Sequence, residues 1–366
     1  MHHPFARILA TIILASTALP ALAERDIVFA ARHYAPPGSR QTTHFHLYRI
    51  NPDGSRLTPL TSGAHDDAAP RWSPDGRWIA FTRDSNNLCV IRASGGPVYV
   101  LSSVNAKLRD SSDAYVDFNS ARWLPDSRRM LMNVESAKTS QLLDVPSGRI
   151  RVLPSSITSP VFSTDGAHMV ALAADGHTYV TDTKSLSLEK GVKIASDLQS
   201  PAWLTPTTIV GTISSEGDVS DSIAAFDTAS GRKLWGGKLV YAKPTNDDLG
   251  NVYFGARKIP GDNQHIVVPV DASNSTVRPD NDYYRVETKT CKAKLWLPQS
   301  QFLVFSPSGR YITSSARDLS NYGPKRGDRQ TTVWTTDLRV GASPTDTKPR
   351  LIVHGLVWVV GADWRK

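Results

Sequence analysis

After residue 23 the apolar positions come in short runs of β-branched and aromatic residues, broken every few positions by Pro, Asp, Gly or Ser, and no stretch holds a helical period. Arg71-Trp72-Ser73-Pro74-Asp75-Gly76-Arg77-Trp78-Ile79-Ala80-Phe81 is the clearest unit. It reads as strand, tight turn, strand, because Pro presets φ for the first turn position while Asp and Gly accept the remaining turn geometry. Ile79 and Phe81 then alternate with Ala80 and Thr82, as in a strand with one better-buried face. Copies recur at Arg122-Trp123-Leu124-Pro125-Asp126, Val161-Phe162-Ser163-Thr164-Asp165-Gly166 and Val304-Phe305-Ser306-Pro307-Ser308-Gly309. Degenerate copies run from Ala202-Trp203 and from Arg257-Lys258, and a half copy closes the chain at Ala362-Asp363-Trp364. The anchors are therefore residues 72, 123, 162, 203, 258, 305 and 364. Their spacing of about 40 to 60 residues is that of a four-stranded propeller blade with variable loops.

A second repeat follows each strand pair: Ile50-Asn51-Pro52-Asp53-Gly54, Ile91 to Gly96, Leu143 to Gly148 and Phe226 to Gly231, with weaker versions at Val180, Val286 and Trp334. These read as outer hairpins. The first precedes every inner motif and the last inner motif has none after it, so the two halves complete each other. The expected fold is all-β, a propeller of seven four-stranded blades closed by pairing of the N- and C-terminal strands. Six or eight blades stay open, because Lys258 is a poor anchor for the fifth copy.

Composition fits one all-β body, with 24 Gly and 24 Pro among 366 residues. Residues 1–23 are set apart: Arg7, an apolar run from Ile8 to Leu19 and Ala21-Leu22-Ala23 have the form of a secretory signal peptide. The mature chain, 24–366, is expected to be a single periplasmic propeller domain, monomeric, with no membrane span. The net charge of +8 is mild, and without a Lys/Arg stripe carrying interleaved aromatics it does not indicate nucleic acid. Cys89 and Cys291 fall in the second and sixth blades, too far apart around the ring for a disulfide, and read as packed thiols.

The repeated Trp-Ser-Pro-Asp-Gly-Arg-x-Ile-Ala-Phe unit, over about residues 27–366, resembles the repeat of the TolB-like β-propeller family. The resemblance implies the propeller fold, and is much less specific for what the propeller does. TolB itself carries an α/β domain ahead of its propeller, for which the short stretch between signal and first strand leaves no room. The same repeat occurs in prolyl-oligopeptidase-like peptidases, whose separate hydrolase domain needs a Gly-x-Ser-x-Gly elbow that this sequence lacks. It occurs also in oligogalacturonate lyases, which need a metal held by a His cluster.

Candidate ligands for such a metal are His33, His44, His46, His65, His168, His177, His265 and His354. Only His44 and His46 have a spacing that shares a strand face, and a His-x-His pair alone does not make a site. Asp66-Asp67 and Asp247-Asp248 read as solvated acids. The sequence thus offers no catalytic constellation, no cofactor site and no metal site. Length variation concentrates in segments 32–43, 102–120, 214–222, 271–284 and 316–331, all between second and third strands or between blades. Such loops emerge on one face of a propeller and are where binding residues collect. Tyr115, Tyr283, Tyr284, Arg317, Tyr322, Lys325 and Arg326 combine flat apolar surface with charge there, and are the candidate partner-binding residues. The functional expectation is a non-enzymatic propeller that binds a protein or glycan of the cell envelope. The alternative is a metal-dependent polysaccharide lyase or hydrolase of oligogalacturonate type. The nine Trp residues are expected to serve mainly as core.

Overall fold

A computed structural model describes residues 26–33, 35, 41–103, 121–134, 138–153, 156–195, 198–213, 222–241, 256–271, 281–300, 302–317, 331–338, 350–356 and 358–365. Seven sheets stand in order around an axis, each meandering outward from an innermost strand. Blade 1 is composite: Trp358–Trp364 is innermost, followed by Ile27–Arg32, His46–Ile50 and Thr58–Pro59. Blade 2 holds Asp67–Trp72, Trp78–Arg83, Asn87–Arg92 and Tyr99–Ser103. Blades 3 to 7 begin at Arg122–Trp123, Ile157–Phe162, Leu198–Thr205, Arg257–Lys258 and Leu303–Phe305. All seven expected anchors end or lie within innermost strands, so the blade count is seven and the ring closes as expected. Closure is an antiparallel ladder running from Ile27 opposite Trp364 to Arg32 opposite Trp358.

The core lies between blades rather than at one centre. Trp72 packs on Val28, Ala30 and Leu47 of blade 1, and Trp123 on Ala80, Leu88 and Val90 of blade 2. The Trp123 indole donates to the Arg71 carbonyl at 3.1 Å and that of Trp203 to Val161 at 2.9 Å, each in the preceding blade. Lys258 serves the same end without a ring. Its ammonium donates to the Leu204 carbonyl of blade 5, to the Asp262 carbonyl and to the Asn263 side chain. Three of the seven anchors, Trp123, Trp203 and Lys258, thus donate to the previous blade, while Phe162 and Phe305 have no donor and fill the position by bulk alone. Arginines one residue before the anchor reach the other way: Arg71 donates to Ala121 at 2.9 Å and Arg257 to Leu303 at 2.6 Å, in the following blades.

Four innermost strands carry a bulge that the sequence pattern had not indicated. Ala69, Ser159, Ser200 and Gly361 have φ of 50°, 48°, 42° and 85°, each three residues before its anchor, where the ladder shifts register. The first three are followed by Pro70, Pro160 and Pro201. Proline is tolerated because the innermost strand is the edge of its sheet, and a bulge adds twist where seven strands converge. Glycine is needed for a different reason in the turns. A Cβ on Gly231 would lie 2.3 Å from the Lys193 carbonyl of the preceding blade, and one on Gly309 the same distance from the Pro260 carbonyl, both at positive φ. Cys89 and Cys291 are buried free thiols, and burial pushes the Cys89 thiol up to about 12. Blade 6 gains a fifth, parallel strand, Val240–Tyr241, on its outer edge.

Candidate functional site

Strand direction divides the disc into two faces. Turns within the inner and outer hairpins lie on one, and connections between second and third strands and between blades lie on the other. At the second face, blades 1 and 2 bring together a set of polar side chains from four strand ends. Asp67, at the start of its innermost strand, is completely buried and receives both Nε (2.7 Å) and Nη2 (3.0 Å) of Arg83. Beside it Asp66 accepts the Phe45 amide at 2.8 Å, with the His44 ring 3.4 Å away. Asp84 accepts the Asp66 amide at 2.9 Å through one oxygen and meets the His65 ring at 2.7 Å through the other. Arg32 lies over the Phe45 ring, 4.8 Å from its centroid.

Local sequence explains the arrangement. Asp84 and Ser85 both have positive φ, and the Asn86 amide donates to the Arg83 carbonyl, so the connection is a type I′ turn. That turn holds the Asp84 carboxylate over the connector from blade 1. Burial works to raise the Asp84 carboxyl, but the Asp66 amide and the His65 ring outweigh it and hold it below the usual value. His46 moves down chiefly because it is buried, with His44 and His33 adding to the effect and Asp67 and Asp66 opposing it. A histidine whose folded value lies below its unfolded one binds fewer protons when folded, so stability falls as pH drops below about 6.5. Wild type is expected to lose more denaturation midpoint between pH 7 and pH 5 than His46→Gln. Parallel pH profiles for the two would remove His46 from that account.

His44 and His65 remain about half exposed, as does Asp66. The rim therefore offers ring nitrogens and carboxylates to a polar partner, in a geometry fixed by the buried Asp67–Arg83 pair. Among the described residues no group of three His, Cys, Asp or Glu is gathered as metal ligands would be. His33, His44, His46 and His65 share this corner, whereas His168, His177 and His265 lie in blades 4 and 6. The innermost strands near the axis present Thr158, Gln199, Ser159 and Ser200, the last three exposed.

The residues singled out from sequence fare unequally. Tyr283 and Tyr284 are corrected: they lie within the strand Asn281–Glu287, not in a loop, and are 1% and 3% exposed. Successive strand side chains point to opposite faces, and in a blade both faces are covered. Tyr283 packs with Trp296, Leu303 and Ile312 toward blade 7, and Tyr284 with Val268 and Val210 toward blade 5. Neither is offered to a partner. Arg317 ends the strand Tyr311–Arg317. Tyr115, Tyr322, Lys325 and Arg326 lie outside the described residues, as does segment 1–23. Asp66 and Asp67 are not a pair of solvated acids, since Asp67 is buried against Arg83. The available signal was position. Five residues before their anchors the other strands carry Ile157 and Leu198, so an acid at 67 requires a buried partner. Trp72, Trp78, Trp123, Trp203, Trp296 and Trp364 are buried, as expected of core residues.

The repeat, the seven blades and the composite closing blade define a seven-bladed β-propeller, a fold shared with TolB. In three dimensions the chain resembles TolB from Acinetobacter baumannii, with a TM-score of 0.51 and 15% identity over 93% of this chain and 66% of that one. It also resembles a chain of the mitotic checkpoint complex, with a TM-score of 0.50 and 14% identity over 74% of this chain and 81% of that one. In sequence it is 26% identical over 125 residues to the uncharacterized peptidase YuxL of Bacillus subtilis, a stretch covering 30% of this chain and 18% of that protein. The matches thus span slightly less than two thirds of TolB and under a fifth of YuxL, and at these identities the structural likeness is one of fold. No protein-family model matches the chain. Among the described residues no helix is long and apolar enough to cross a membrane.

Proposed function

We propose that this protein is exported through its N-terminal segment and acts as a non-enzymatic propeller, binding a protein or glycan of the cell envelope with its loop-rich face. The observation that carries this reading is the polar rim of blades 1 and 2. His44, His65 and Asp66 stand exposed there on a scaffold fixed by a buried ion pair. Rigid support beneath exposed polar groups is what selective recognition requires. Arg317, Lys325 and Arg326, which belong by sequence to the same side, would extend the surface and steer association. Replacing all three with alanine is expected to leave stability within about 0.5 kcal/mol of the parent. With the mature chain as bait for an envelope fraction, the triple variant should retain at least fivefold less of the partner, with a weaker salt dependence. Equal retention by parent and variant would remove these residues from the surface. Loss of a polyuronide-cleaving activity on adding a chelator would replace the binding reading with the lyase reading.

A further inference from the structure

The opposite face is built by the turn repeat itself, and the repeat sorts charge. In several turns the acid folds back on the backbone. Asp75 Oδ1 accepts the Arg77 amide at 3.0 Å, Asp53 Oδ1 the Ser55 amide at 2.9 Å, and Asp227 Oδ1 the Ser230 amide at 2.8 Å. The bases that follow these turns point into solvent instead. Arg77, Arg128, Arg149, Lys233 and Lys292 are all exposed at this face, in blades 2, 3, 5 and 6. The side chains of Arg128, Arg149 and Lys233 form no ion pair among the described residues. On the loop-rich side, by contrast, Asp66, Asp67, Asp84, Asp175 and Asp282 stand against Arg32, Arg83, Lys138 and Lys238 among the described residues. Among the described residues the short-turn face thus exposes more bases than acids, although Asp53, Asp75, Asp126, Asp165, Asp182 and Glu189 are exposed there as well.

Aliphatic side chains accompany the bases at the outer corners of this face. Leu57 is 51% exposed beside Arg56, Ile150 45% exposed between Arg149 and Arg151, and Leu234 41% exposed beside Lys233. Three separate blades therefore repeat a base next to an exposed aliphatic. A glycan surface would be expected to place aromatic rings there, and a nucleic-acid surface to interleave aromatics with its bases. Bases paired with aliphatics, on a face of short turns, match a planar layer of anionic headgroups over acyl chains.

We propose that the short-turn face docks on an anionic phospholipid surface, leaving the loop-rich face turned away from the bilayer. The interaction is peripheral: Arg149, Arg151 and Lys233 meet headgroup phosphates, while Leu57, Ile150 and Leu234 enter the interface. The test is co-sedimentation of the full mature chain with vesicles of phosphatidylcholine alone or mixed equally with phosphatidylglycerol. Binding is expected only to the mixed vesicles and should weaken as salt is raised. Arg149→Gln/Arg151→Gln/Lys233→Gln should lower the partition at least tenfold with an unchanged melting curve. Leu57→Gln/Ile150→Gln/Leu234→Gln should lower it while leaving the residual binding salt-sensitive, and Asp66→Asn/Asp84→Asn on the other face should not lower it. Equal binding to both vesicle types, no binding to either, or a charge variant that sediments like the parent would overturn the proposal. Retention on an acidic polysaccharide resin by a chain that ignores the vesicles would overturn it in favour of a polyanionic glycan.

Discussion

Removing residues 356–366 is expected to abolish cooperative unfolding and leave a chain that aggregates. The segment Trp358–Trp364 is the innermost strand of blade 1, and without it Ile27–Arg32 becomes an open apolar edge. More than a ladder is lost. Trp364 is 2% exposed and packs with Ile27, Val333 and Ile352, joining blade 1 to blade 7. Asp363 accepts the Trp72 amide at 2.8 Å and so joins it to blade 2. A thermal melt followed by circular dichroism, with light scattering on the eluted protein, distinguishes the outcomes. A truncated chain that melts as a monomer, in one transition near that of the parent, would show that the ring does not need its composite blade.

Arg83→Ala is expected to destabilise the protein by roughly 3–5 kcal/mol, because it leaves a fully buried carboxylate at Asp67 without its counter-charge. The compensated double variant Asp67→Leu/Arg83→Met should recover most of that loss, since a buried pair replaced by packed apolar groups is often near neutral. Urea denaturation of the two variants separates the contributions. If Arg83→Ala costs under about 1 kcal/mol, water or a neighbouring base reaches Asp67 and the rim is looser than drawn. The double variant also tests the site, since restored stability with impaired partner binding would assign the pair to positioning the rim.

The architecture was largely legible in the sequence because a propeller repeats its instructions. Trp72, Trp123, Phe162, Trp203, Phe305 and Trp364 announce their blades by type, and even Lys258 stands in the expected register. Pro-Asp-Gly and Asp-x-x-Ser-Gly turns mark the hairpins, and the half copy at Trp364 implies closure. What escaped detection depends on pairs distant in sequence or on backbone conformation. Nothing local to Asp67 says that Arg83 folds across it, and Asp66-Asp67 in isolation has the composition of a loop. Tyr283 and Tyr284 follow Pro279-Asp280-Asn281-Asp282, whose turn-forming residues hid a strand that begins at Asn281. The bulges at Ala69, Ser159 and Ser200 left a trace, since each of these residues precedes a proline two positions before its anchor. Read singly, each such proline resembles an ordinary strand breaker.

The composite blade also bears on the order of events during folding. Apart from the added parallel strand Val240–Tyr241 of blade 6, blades 2 to 7 each pair strands that follow one another along the chain, so each hairpin can form as soon as its own residues are available. Ile27–Arg32 is different. It comes first along the chain, yet its inner neighbour, Trp358–Trp364, is the last strand to become available. Until that strand is made, the mainly apolar Ile27–Arg32 strand has no inner partner, and an unsatisfied edge of that kind recruits other chains. The interval between the first and last strands is therefore when the protein most needs a chaperone, and the final residues decide when that need ends.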